Sequence, residues 1–156
     1  MKVDIAPLSR EDYEEIFALL KTAEPFEGFH YYDQFCLIMD SRTGFTHWVN
    51  GKLVGLISFS NYSPGLSIMI HAAFNPSYIE AMNRKVLRNV FDYAFNKLLV
   101  RRVDSYSIKG ITDKIGKFLK RLGFKKEGCK KESTEINNKI YDVELYGMLR
   151  KDCKWI

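Results

Sequence analysis

Three small sets of side chains have types and spacings that suit chemistry. The first is His71, in the stretch Ile70-His71-Ala72-Ala73-Phe74. An unperturbed imidazole has a pKa of about 6.5, so it exchanges a proton at neutral pH and suits a general base. It has no second titratable residue beside it, and a histidine hydrogen-bonded within a strand is the plain structural reading. The second set follows Asn75-Pro76 and reads Ser77-Tyr78-Ile79-Glu80-Ala81-Met82-Asn83-Arg84. Ser77-x-x-Glu80 has the form of a capping box, in which the two side chains satisfy backbone amides at a helix start. Arg84, Lys85 and Arg88 come next, one turn further on, at a distance from which cations reach an anion. The third set is the paired cations Lys120-Arg121, Lys125-Lys126 and Lys130-Lys131. These suit a phosphate or a nucleic acid, and equally suit a face turned to water.

Composition narrows what these sets do. The chain has 156 residues, 46% of them hydrophobic, enough for one domain with its own core. No apolar run reaches the roughly 18 residues of a membrane span. Met1-Lys2-Val3-Asp4 runs into the polar Ser9-Arg10-Glu11-Asp12 without a secretory apolar stretch, so a cytoplasmic protein is expected. Cys36, Cys129 and Cys153 are scattered, with no C-x-x-C pair. They read as reduced thiols, with neither a disulfide framework nor a metal site. The net charge of +5 is unevenly spread. Residues 1–96 hold 8 basic against 11 acidic side chains, and residues 97–156 hold 16 against 8. A basic second half suits a polyanionic partner, either a phosphorylated cofactor or nucleic acid. The aromatic residues fall on buried periodicities and do not interleave with the basic residues as a base-stacking platform would, which argues against nucleic acid.

The elements that must position these residues follow from periodicity. Residues 2–6 form a short strand. Ser9 caps a helix whose buried face is Tyr13, Ile16, Phe17 and Leu20, spaced i, i+3, i+4, i+7. A second helix covers 31–40. The period then changes to two. Strands at 45–49 and 53–59 flank Asn50-Gly51-Lys52, and Asn-Gly supplies the positive φ angles of a tight primed turn. After Pro64-Gly65 a strand covers 66–74, and a long helix is expected over 77–98. A strand at 102–107 and a helix from Thr112 or Asp113 to Gly123 follow, the latter burying Ile115, Phe118, Leu119 and Leu122. A hairpin, 124–131 with 139–149, turns near Asn137-Asn138. The order is β-α-α-β-β-β-α-β-α-β-β. It implies an α/β (α+β) fold in a single domain, with a mixed central sheet of about six or seven strands and helices on both faces.

This order resembles that of the GNAT (GCN5-related N-acetyltransferase) superfamily along the whole chain. Phe91-Asp92-Tyr93-Ala94-Phe95 followed by Arg102-Val103-Asp104 resembles the end of that family's third helix entering strand five, as in the branch that acetylates ribosomal-protein N-termini. Phe118-Leu119-Lys120-Arg121-Leu122-Gly123-Phe124 resembles the fourth helix, which ends in Leu-Gly-Phe. The chain is also similar to small GNAT-like head-assembly or accessory proteins of tailed bacteriophages, which would place it in a host cytoplasm or a virion. The resemblance implies that acetyl-coenzyme A lies where strands four and five splay apart. The edge around Ala72 and Phe74 would align the pantetheine. Ser77, Glu80, Ala81, Met82, Asn83 and Arg84 would lie where the pyrophosphate is held, and His71 at the family's base. Glu24, Glu27, His30, Tyr31 and Asp33 would lie where the acceptor is recognised.

The sequence departs from the family pattern where phosphate binds. Such enzymes use Arg-Gly-x-Gly-x-Gly/Ala, because phosphate oxygens must approach the backbone closely at a helix N-terminus. Residues 77–84 contain no glycine, and Ser77 and Glu80 are expected to occupy the amides. Glu80 adds a negative charge beside a negative ligand. The tyrosine that protonates the leaving thiolate is replaced by Leu119, and an asparagine near the start of that helix by Thr112. Acetyl-coenzyme A is therefore expected to bind weakly or not at all. Three readings follow: an acetyltransferase acting on a small-molecule or peptide amine, an inactive GNAT-like binding or assembly module with protein partners, and a nucleic-acid-binding protein.

Overall fold

The computed structural model describes residues 1–23 and 31–156, which form two compact units. The first comprises Met1–Ser60 and Ile70–Val90, the second Asn61–Met69 and Phe91–Ile156. Along the chain come β1 (Asp4–Pro7), α1 (Tyr13–Ala23), α2 (Tyr32–Asp40), β2 (Thr43–Val49), β3 (Lys52–Ser63) and β4 (Ser67–Phe74). They are followed by α3 (Arg84–Asp92), β5 (Arg102–Ile108), α4 (Asp113–Leu122), β6 (Lys125–Ile136) and β7 (Lys139–Leu149). The seven strands form one mixed sheet in the order β1-β2-β3-β4-β5-β7-β6. Among the described residues, no helix is long and apolar enough to cross a membrane.

In the first unit, β1, β2 and β3 form an antiparallel ladder with a register shift between His47 and Trp48. The turn between β2 and β3 has positive φ at Asn50 (50°) and Gly51 (75°), as its residues predict. Ser9 accepts from the Glu11 amide and opens a short 3₁₀ turn, Arg10–Asp12, ahead of α1. The core collects Tyr13, Ile16, Leu19 and Leu20 of α1, Phe35 and Met39 of α2, and Leu53, Leu56 and Ala73 of the strands. Tyr13 meets Phe35 edge-on at 5.6 Å between ring centroids and donates to Asp40 Oδ1 at 2.9 Å, so α1 holds α2 by both packing and a hydrogen bond.

In the second unit, β4 and β5 pair in parallel, residues 67–69 against 102–104, and the ladder stops there. β5 pairs antiparallel with β7, and β7 with β6, whose turn has positive φ at both Asn137 and Asn138. Phe91, Phe95 and Phe124 form an aromatic group in its core, with centroids 6.2 to 6.3 Å apart. α4 ends at Gly123 in the left-handed conformation, and the Phe124 amide donates back to the Leu119 carbonyl. Two more of the carbonyls at that end are taken by the chain's last residues. Trp155 Nε1 donates to Leu122, and Lys154 Nζ to Arg121, both at 2.9 Å.

The expected helix over 77–98 is three pieces. A 3₁₀ turn spans Pro76–Ala81, with Tyr78 at non-helical angles (φ −126°, ψ 27°), and the chain breaks at Met82 (ψ 64°). Nine residues of α3 follow, and then a π-helical turn, Tyr93–Lys97.

Candidate cofactor-binding site

The first unit carries all nine residues named for the donor site. Proline at position 76 removes an amide and fixes φ, so the chain leaving β4 bends there. Asn75 caps the bend, its Oδ1 accepting from the Ser77 amide at 2.9 Å. Ser77 and Glu80 are exposed, and among the described residues neither side chain bonds a backbone amide. The capping box expected there does not form, because the residues between them are not in one helical turn. Asn83 caps α3 instead. Its Oδ1 accepts from the amides of Lys85 at 3.0 Å and Val86 at 3.2 Å, and its carbonyl accepts from Leu87 at 3.0 Å. The side-chain acceptors here are Asn75 and Asn83, where Ser77 and Glu80 were expected.

Ala81 is fully buried, Met82 and Asn83 are half-buried, and Arg84 is exposed on the first turn of α3 with Arg88 one turn on. Lys85 turns back, its Nζ donating to the Val3 carbonyl at 2.9 Å. Two cations therefore stand near the start of α3, at its positive end. On β4, Ala72 is exposed and Phe74 is buried against His47 at 5.3 Å.

His71 is half-buried, with Nε2 2.7 Å from Ser60 Oγ. Burial, helped by the Arg42 charge, lowers its pKa to about 3. The ordinary value taken from the sequence does not hold, and the ring is neutral at every physiological pH. Arg42 also donates to Ser58 Oγ at 3.3 Å, so Arg42, Ser58, Ser60 and His71 form a polar group of the first unit.

The remaining positions behave as packing. Leu119 is buried in α4. Thr112 is buried at the N-cap of α4, its hydroxyl accepting from the Ile108 amide at 2.6 Å. Tyr31 and Asp33 are exposed at the start of α2, while Glu24, Glu27 and His30 lie outside the described residues. A chain of polar groups, running from the buried Ser107 and Tyr146 out to the exposed Lys126, has no signal in the sequence. Ser107 hydrogen-bonds the Tyr146 hydroxyl, which donates to Glu144 Oε2 at 3.0 Å, and Lys126 pairs with that same oxygen at 3.3 Å. Burial alone would raise the Glu144 carboxyl, but the Tyr146 and Lys126 hydrogen bonds outweigh it and hold it below the usual range. At 3% exposure Tyr146 is closed off from any substrate. Among the described residues, no group of three His, Cys, Asp or Glu side chains is placed to hold a metal ion.

Solved structures match over nearly the full chain. Spermidine N-acetyltransferase from Vibrio cholerae, in complex with CoA and spermine, superposes with a TM-score of 0.80 at 18% identity, covering 96% of each chain. A GNAT-family acetyltransferase from Bacillus anthracis gives 0.75 at 17% identity, over 97% of this chain and 96% of that one. A chimera based on the Vibrio cholerae protein gives 0.79 at 19% identity over 97% of both. The chain has the GNAT fold. No protein-family model and no curated protein sequence matches it. At these identities the likeness is one of fold, and what a GNAT-fold chain does rests on its site. Asn83 Oδ1 holds the amides of Lys85 and Val86 at the start of α3. Arg84 and Arg88 are the residues there suited to an anion.

Proposed function

We propose that the chain is an acetyltransferase-like member of the GNAT superfamily, moving an acetyl group from acetyl-coenzyme A to an amine, with a weak hold on the cofactor. The match to GNAT acetyltransferase structures supports the acetyl-transfer part of this reading, and Asn83 Oδ1 on the amides of Lys85 and Val86, at 3.0 and 3.2 Å, supports the weak hold. A diphosphate needs free amides at that helix start. Here it must displace a neutral side-chain acceptor that is already in place. Residues 70–74 of β4 would align the pantetheine, Arg84 and Arg88 would meet the phosphates, and the supply of amides would limit affinity. Of the two acceptor classes, a small-molecule or a peptide amine, the spermine bound in the Vibrio cholerae structure supports the small-molecule amine.

His71 is the candidate base of this reading. With a pKa of about 3 it is a weak proton acceptor, so the reading expects slow transfer that falls further in His71→Ala. A second reading, a binding or assembly module without catalysis, is favoured by that low pKa together with the buried Leu119 at the tyrosine position. The ribosomal-protein branch and the bacteriophage accessory proteins are supported by sequence resemblance alone.

Calorimetric titration of coenzyme A decides the matter. The parent chain is expected to bind weakly, and Asn83→Gly to bind more tightly, because it uncovers two amides without adding a side chain. Submicromolar binding by the parent would show that Asn83 is no obstacle. Tight binding with no acetyl transfer to any amine would leave the binding-module reading.

A further inference from the structure

Leu99 stands in the left-handed region, φ 56°, with 67% of its surface exposed. Both features are unfavourable, since a Cβ crowds the backbone there and an exposed leucine leaves apolar surface in water. It directly follows Leu98, which closes the π-helical turn Tyr93–Lys97, and such irregularities gather at functional segments. Leu99 lines a cleft of about 910 Å³ in the second unit, together with Leu149 and Ile156, both partly exposed. Arg101 and Lys151 stand exposed at the same cleft. Neither forms an ion pair among the described residues, whereas Asp104, Glu127, Asp142, Glu144 and Asp152 of this unit are each paired already.

Around α1 and α2 the excess is of the opposite sign, residues 10–23 and 31–40 holding six acidic side chains against two basic. Glu11, Glu14 and Glu15 are exposed at and just before the start of α1, and Asp33 is exposed on α2. Among the described residues none of the four has an ion-pair partner, the one ion pair in this unit being Arg10 with Asp40. On α2, Leu37 follows Asp33 by one turn and is 72% exposed, with Ile38 beside it. A helix showing a carboxylate and an apolar side chain at i and i+4 is suited to an apolar groove rimmed by cations.

We propose that the α1–α2 face of one copy of this chain docks into the Leu99 cleft of a second copy. Leu37 would pack on Leu99 and Leu149, and the acidic side chains would face Arg101 and Lys151. The chain itself supplies both halves in equal number, with unpaired charges of opposite sign on each. The two patches differ, so the contact is head-to-tail and propagates into a ring or a filament. Facing charges make it sensitive to salt.

Sedimentation of the purified chain tests it. The average mass is expected to rise above 18.2 kDa with concentration at low salt, and to fall back at high salt. Leu99→Gly keeps the backbone conformation and relieves its strain, so its thermal midpoint should hold or rise while association weakens about tenfold or more. Glu14→Lys with Glu15→Lys in one preparation, and Arg101→Glu with Lys151→Glu in another, should each stay monomeric. Mixed together, they should associate, because the reversed face of one then meets the reversed cleft of the other, and the two unchanged patches meet as well. A single 18.2 kDa species of the parent at every concentration in low salt would overturn the proposal. So would reversed preparations that associate as well as the parent.

Discussion

Tyr146 reaches its place on β7 because position 116 of α4 carries no side chain. A Cβ built on Gly116 would stand 2.6 Å from the Tyr146 hydroxyl and 3.1 Å from Ser107 Oγ, and both oxygens form the buried end of the polar chain that leads out to Glu144 and Lys126. Gly116→Ala therefore forces a shift in a closed polar group and is expected to destabilise the chain by about 1–3 kcal/mol. Urea midpoints would measure this. In the Gly116→Ala background, Tyr146→Phe should recover part of the loss by removing the clashing oxygen, although the same change alone costs about 1 kcal/mol through its hydrogen bonds. The group was invisible in the sequence, where Ser107, Tyr146 and Glu144 look like ordinary strand residues. His71 was half legible. Its type and place on β4 were readable, but its pKa depends on burial and on Arg42, which come from elsewhere in the chain and have no local signature.

At the level of elements, tight turns were the most readable feature. Asn50-Gly51 and Asn137-Asn138 have positive φ at every position, because a short amide side chain or none tolerates that region. The stretch after β4 was misread as one helix because its apolar residues keep a helical period through the break at Met82. The competing signals were Asn75-Pro76 and Asn83, each a cap placed ahead of its own short turn of amides. The stop of α4 at Gly123 was legible, but the partners of its last carbonyls were not, since they are residues more than thirty positions later. This makes Trp155 part of the helix cap. Trp155→Phe keeps most of the ring and removes the donor to the Leu122 carbonyl, so a loss of about 1 kcal/mol is expected in thermal or urea unfolding. A variant as stable as the parent would mean that water serves that carbonyl equally well.

For the whole molecule, the strand and helix order was legible from end to end, because period-two and helical stretches alternate with clear turns. The proton balance was not, because it is set by burial. His47 is fully buried on β2 beside Phe74, and burial lowers its pKa to about 4. The Gly55 backbone, opposite it in register, offsets a little of this without a hydrogen bond of good geometry. With His71 at about 3, two imidazoles in the folded chain stay neutral at pH values where the unfolded chain, at about 6.5, takes up protons. Between pH 6.5 and 4 the unfolded state therefore binds more protons than the folded one, and stability must fall as the pH falls. Each group contributes a slope approaching about 1.4 kcal/mol per pH unit in that window. Urea unfolding followed from pH 7 to pH 4.5 should show this decline, and His47→Leu should flatten it by close to one proton. A parent whose stability is level across the window would mean that neither ring gives up its proton on folding, so that the buried environments of β2 and β4 both carry a charge after all.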